Sequence, residues 1–127
     1  MRFLVADDSP TMRRIVVNSL KRIGFTDTVE AADGVEALER FDSTVDFVIT
    51  DWNMPQLGGL GLVRALRSKP EGKRIPIVMI TTRLVEADYA RAAQDTPFEC
   101  IVKPFTPRVL REKVERHALP LHLLPEQ

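Results

Sequence analysis

The chain has 127 residues, with 18 basic and 18 acidic side chains and a formal net charge of zero. That length suits one domain, and the balanced charge lacks the excess of cations with which a nucleic-acid binder meets phosphates. A single cysteine can form neither an internal disulfide nor a thiolate metal cluster, which fits a reducing cytoplasm.

No stretch predicts a membrane span: the longest apolar run, Ile75 to Ile80, is interrupted by Pro76. The opening Met1-Arg2-Phe3-Leu4-Val5-Ala6 meets Asp7-Asp8 too soon for a signal peptide. The expectation is a small soluble domain without room for a separate output domain.

In chain order, Phe3 to Ala6 reads as a buried strand, apolar without alternation. Ser9-Pro10 follows as N-cap and first helical position. Met12, Ile15, Val16, Leu20 and Ile23 predict the apolar face of a helix that ends at Gly24. Arg13-Arg14 and Lys21-Arg22 read as its solvated side, where a partner could also dock. Thr26 to Ala31 is a more polar strand, suited to an edge, and Asp33 caps a short helix carrying Val35, Leu38 and Phe41 inward. Phe47-Val48-Ile49 forms a third strand ending at Thr50-Asp51. A loop through Pro55 and Gly58-Gly59 leads to a helix with Leu62, Val63 and Leu66 inward.

Ile77 to Ile80 is the fourth strand, and a weakly patterned, alanine-rich helix follows around Glu86 to Gln94. Phe98 to Val102 is the fifth strand, and Thr106-Pro107 starts a last helix with Val109, Leu110 and Val114 inward. Five strand–helix repeats predict a single-domain α/β fold, a doubly wound five-stranded parallel sheet with helices as crossovers. The domain is expected over residues 1–118, with a tail at 119–127 that holds two prolines.

In an open α/β sheet, ligands bind beyond the carboxyl ends of the strands. Asp7 and Asp8 follow the first strand, Asp51 the third, Thr81 and Thr82 the fourth, and Lys103 the fifth. Three neighbouring carboxylates need a compensating charge, and Mg²⁺ suits one or two carboxylates with waters and a phosphate oxygen. A lysine and a hydroxyl beside them complete a site for a dianionic phosphoryl group. An aspartate so placed can itself be the nucleophile and form an acyl phosphate. Taken singly, each signal has a plainer reading: a cap, a loop acid, a turn, a solvated lysine before Pro104. Their coincidence at matching strand ends favours phosphoryl transfer onto a protein carboxylate.

With Val5-Ala6-Asp7-Asp8, Thr11-Met12-Arg13-Arg14-Ile15-Val16, Asp51-Trp52-Asn53-Met54-Pro55, Thr81 and Lys103-Pro104-Phe105, the sequence resembles the receiver domain of two-component response regulators. Within that family it resembles the CheY-like chemotaxis branch, over about residues 1 to 118. The resemblance implies a flavodoxin-like strand order 2-1-3-4-5 and assigns Asp51 as the phosphoacceptor for a histidine kinase. It implies Mg²⁺ as cofactor, held by Asp7, Asp8, Asp51 and the backbone carbonyl of Asn53. Lys103 and Thr81, with Thr82 beside it, would contact the phosphoryl group, Thr81 also acting as the switch hydroxyl.

The sequence departs from the family pattern in several places. Cys100 stands where the family's second switch residue is usually Tyr or Phe, and Phe98, nominally on the same strand face, is the candidate substitute. The plainer reading of Cys100 is a small, half-buried side chain without a redox role. Arg83 stands where relatives often carry an acid, and Gly58-Gly59 where they often carry Asp-Gly. Gly61 is expected to loosen the start of the third helix.

The resemblance implies a cytoplasmic, monomeric switch that touches neither nucleic acid nor membrane. Its candidate partners are a chemotaxis-type histidine kinase, a phosphatase and the flagellar motor switch. The motor would dock on the face formed by the fourth and fifth helices and the fifth strand, where Lys113 falls. Two rival functions share the site: a phosphate sink or phosphorelay intermediate, and an enzyme working through an aspartyl phosphate. The second needs another acid two residues after the nucleophile, and that position is Asn53.

Overall fold

The short apolar runs become the strands of one sheet, and its two covered faces explain why they are apolar throughout. In the computed structural model, which describes residues 1–81, 99–102 and 105–118, the order is β1 (Arg2–Ala6), α1 (Pro10–Arg22), β2 (Asp27–Ala31), α2 (Gly34–Arg40), β3 (Phe47–Asp51), α3 (Gly59–Arg67), a 3-10 turn (Pro70–Gly72), β4 (Ile77–Thr81), β5 (Glu99–Val102) and a C-terminal helix (Pro107–Ala118). All strand pairs are parallel, in the order β2-β1-β3-β4-β5. The fold is therefore the α/β architecture expected. The expected helix around Glu86 to Gln94, Phe98, and the tail at 119–127 lie outside the described residues.

Alternate side chains of each strand supply the two halves of the core. On one face Leu4, Ala6, Val48 and Met79 pack with Ala37 of α2 and Leu62, Val63 and Leu66 of α3. On the other, Phe3, Val5, Phe47, Ile49, Val78, Ile80 and Ile101 pack with Val16, Val17 and Leu20 of α1 and Leu110 and Val114 of the C-terminal helix. Phe3 centres this half, its ring 5.0 Å from Phe25 and 5.1 Å from Phe47. Each fully buried Leu or Phe contributes roughly 1.5–3 kcal/mol through removal of apolar surface from water.

The helix starts form as the sequence predicts. Ser9 Oγ accepts from the Met12 amide, Asp33 Oδ1 from the Glu36 amide, and Thr106 Oγ1 from the Val109 amide. Glu36 reaches back to the Ala32 amide, and Gly24, at φ +98°, closes α1.

Three apolar side chains expected inside are instead substantially exposed: Ile15 on α1, Val35 on α2 and Val109 on the C-terminal helix. In α1 the buried stripe is rotated to Val16, Val17, Ser19 and Leu20, and Ser19 enters it by donating its hydroxyl to the Ile15 carbonyl. In α2 the small residues Gly34 and Ala37 face inward, so the helix lies close to its neighbours and Val35 is turned out.

Gly34 is fixed by contact. A Cβ there would lie 2.2 Å from the Leu57 carbonyl oxygen and 2.8 Å from the Leu57 Cβ. Leu57 also fills the space beside Gly61, where a Cβ would meet its Cδ1 at 2.6 Å. Gly61 thus makes room for Leu57, a packing reason for a residue that propensity alone reads only as a weak helix former. Because the Gly34 clash is with backbone, Gly34→Ala should lower stability by at least about 1–3 kcal/mol. Urea unfolding would measure this, and a loss below about 0.5 kcal/mol would contradict the packing described.

Candidate functional site

Residues at the carboxyl ends of β1 and β3 build the site. Asp7 follows β1 directly and its amide extends the pairing with β2, donating to the Ala31 carbonyl at 3.0 Å. Its Oδ1 accepts from the Ser9 amide at 2.9 Å, which places the carboxylate in the short turn before α1. Asp7 is buried, whereas Asp8 is exposed. Asp51 is the last residue of β3, opposite Ile80 in the register, and is also buried. Its Oδ1 accepts from the Trp52 amide at 3.0 Å, and the same amide donates to the Ile80 carbonyl at 2.8 Å.

The floor under Asp51 is tight. The Gly59 amide donates to the Trp52 carbonyl at 2.9 Å. A Cβ on Gly59 would fall 2.3 Å from the Asp51 carbonyl and 2.5 Å from Met79 Sδ. Thr50, fully buried, donates its hydroxyl to the Asp51 carbonyl. Between Asp51 and α3, Gln56 adopts φ +72°, a left-handed conformation that costs a non-glycine residue about 1–2 kcal/mol.

The outcome is a convergence of Asp7, Asp8 and Asp51, each offering a carboxylate oxygen within 4.8 Å of the others. Among the described residues this is the one group of three or more His, Cys, Asp or Glu side chains so arranged. All three donors are hard oxygens, the chemistry Mg²⁺ prefers, and ligands at about 2.0–2.1 Å can be gathered from such a spacing with waters completing the shell. The donor set therefore fits a divalent cation.

Thr81, buried, ends β4 on the strand beside Asp51. Asn53 is exposed in the loop two residues past Asp51. Cys100 is half-buried on β5, opposite Met79 in the register, and packs on the α2–α3 half of the core. Lys113, partly buried, sits on the C-terminal helix. Lys103, Thr82, Phe98 and Arg83 lie outside the described residues.

Arg13 was missed by the sequence reading, which put it on a solvated face. Its side chain is only 18% exposed and donates from Nη1 to the Asp7 carbonyl at 2.6 Å and from Nε to Glu30 at 3.2 Å. Charge patterning could not separate it from its exposed neighbour Arg14. The usable signal was its position four residues after the Ser9 cap, over the turn that holds Asp7.

The family model described as "Response regulator receiver domain" matches residues 3–115. The chemotaxis protein CheY1 of Helicobacter pylori is 51% identical over 117 residues, covering 91% of this chain and 94% of that protein. The chemotaxis protein CheY of Pseudomonas aeruginosa is 44% identical with the same coverage. Among solved structures, the chemotaxis protein CheY4 of Vibrio cholerae aligns with a TM-score of 0.82 at 32% identity, over 91% of this chain and 97% of that one.

Three like charges so close repel, and the folded chain bears that cost whenever no cation balances them. Asp51→Asn should raise stability in chelator by about 1 kcal/mol, and lose most of the stabilisation that Mg²⁺ gives the wild type. Thermal melts with EDTA and with Mg²⁺ would test this; equal wild-type and variant stability in EDTA would contradict it.

Proposed function

The chain belongs to the response regulator receiver domain family, and on that premise we propose that it is a CheY-like chemotaxis regulator whose Asp51 takes a phosphoryl group from a histidine kinase. The observation that carries this is the gathering of Asp7, Asp8 and Asp51 at the strand ends, with Asp51 seated on β3. A carboxylate oxygen of Asp51 attacks the phosphorus of a phosphohistidine, the nitrogen–phosphorus bond breaks, and an acyl phosphate forms. Water later cleaves that bond and restores the carboxylate.

Asp7, Asp8, Asp51 and the Asn53 carbonyl would hold Mg²⁺, which when bound offsets the charge shared between carboxylate and phosphoryl oxygens. The Trp52 amide orients the Asp51 carboxylate, and Gly59 packed beneath it fixes the end of β3. Lys103 and the hydroxyls of Thr81 and Thr82 receive the phosphoryl oxygens in this reading, with Thr81 turning inward as the switch. The protein catalyses only its own phosphorylation and dephosphorylation.

The receiver spans residues 1–118, with 119–127 a tail, and works as a cytoplasmic monomer. A chemotaxis-type kinase is its donor, a phosphatase its antagonist, and the flagellar motor switch its target, docking near Lys113. Among the described residues no helix is long and apolar enough to cross a membrane.

A second reading, a phosphate sink or relay intermediate, draws on Cys100. A half-buried thiol does not provide the large ring that a swinging aromatic carries inward. In the switch reading, by contrast, Phe98 partly substitutes, or output depends chiefly on the Thr81 loop. An aspartyl-phosphate phosphatase is disfavoured because Asn53 supplies no second acid.

Trp52, adjacent to Asp51 and the sole tryptophan, should change its fluorescence on adding Mg²⁺ and again on adding acetyl phosphate or beryllofluoride. Asp51→Asn should abolish the second response, and a flat wild-type titration would overturn the assignment. A motor-switch peptide should bind more tightly with beryllofluoride present, and Phe98→Ala should weaken that gain if Phe98 is the substitute. Equal binding with and without beryllofluoride would instead favour the phosphate sink.

A further inference from the structure

The acidic site has a cation beside it that takes no part in the chemistry above. Arg13 projects from α1 toward the end of β1, where its Nη1 donates to the Asp7 carbonyl at 2.6 Å, the short distance of a charge-assisted bond. Its Nε holds Glu30 on β2 at 3.2 Å. One guanidinium therefore joins α1, the end of β1 and the edge strand.

The bonded carbonyl belongs to the peptide unit between Asp7 and Asp8, so fixing it fixes the plane from which the Asp8 side chain departs. Asp7 is held through its amide by Ala31, through its carboxylate by the Ser9 amide and through its carbonyl by Arg13. Asp8 is exposed and has no such tether among the described residues, so its backbone sets its direction. A cation near the amino end of a helix also works against the helix dipole, and the first turn of α1 contains no acid to offset it. The Asp7 carbonyl and Glu30 supply that compensation instead.

We infer that Arg13 is a positioning residue of the acidic site: by clamping the Asp7–Asp8 peptide it sets the directions from which the two carboxylates meet a divalent cation. This rests on the cation-binding reading given above. The expected effect of removing Arg13 is opposite in sign to that of simple electrostatics. Were Arg13 only a nearby positive charge, removing it would tighten Mg²⁺ binding, because three acids would then be less well balanced. If it positions, removing it weakens binding, as loss of groups that orient metal ligands does by about 10- to 100-fold. Lysine keeps the charge but lacks the planar fork that serves both the carbonyl and Glu30.

The test titrates the wild type, Arg13→Ala and Arg13→Lys with MgCl₂, following Trp52 emission, with circular dichroism melts in EDTA to establish that each is folded. The Mg²⁺ Kd should rise about tenfold in Arg13→Ala and at least about threefold in Arg13→Lys. A merely structural arginine would lower the melting temperature and leave the Mg²⁺ Kd of the folded protein unmoved. An unchanged or tighter Kd in Arg13→Ala, or a Kd in Arg13→Lys equal to that of the wild type, overturns the proposal. Should Arg13→Ala fail to fold, the lysine variant decides alone. A wild type blind to Mg²⁺ overturns the cation-binding reading itself and this inference with it, an outcome distinct from a responsive wild type with unaltered variants.

Discussion

Three carboxylates held within 4.8 Å of one another are the constraint around which the rest of the molecule is arranged. Left to themselves they would separate, since like charges in a partly dehydrated setting repel by more than any one surface contact returns. They stay together because two of them are extensions of buried parallel strands. Moving Asp7 or Asp51 outward would mean sliding β1 or β3 against a register that includes Phe3 with Phe47 and Val5 with Ile49. The apolar core on both sheet faces thus restrains the charges at the sheet's end.

The support for Asp51 is correspondingly specific. Its carbonyl lies where a Cβ on Gly59 would fall, and α3 begins at that residue. Leu57, between Gly34 and Gly61, ties the intervening loop to both α2 and α3. A shift of the Asp51 loop would therefore be felt first by these two helices, on the side of the sheet where Cys100 also packs.

The strands and the acidic cluster were legible in the sequence for a common reason. A doubly covered parallel sheet requires continuous apolar runs, and its topology places whatever follows each run at one end. That logic located Asp7, Asp8, Asp51 and Thr81 without any contact being known. Helix faces were less legible. Ile15, Val35 and Val109 fitted an inward stripe by period, yet all three are exposed; in α1 and α2 small residues, Ser19 and Gly34 with Ala37, take buried positions instead. Arg13 was misread because its role depends on a backbone carbonyl, and a carbonyl leaves no mark in a sequence.

The polar edge strand has a consequence of a different kind. β2 ends the sheet, and among its five residues Asp27 and Glu30 are exposed and ion-paired to Arg2 and Arg13. An open strand edge invites another chain to add to it, the first step toward aggregation. Here an incoming strand would have to approach past two acidic side chains already occupied by arginines. The same Arg13–Glu30 pair that reaches toward the site thus also sets charged side chains along the open edge of the sheet.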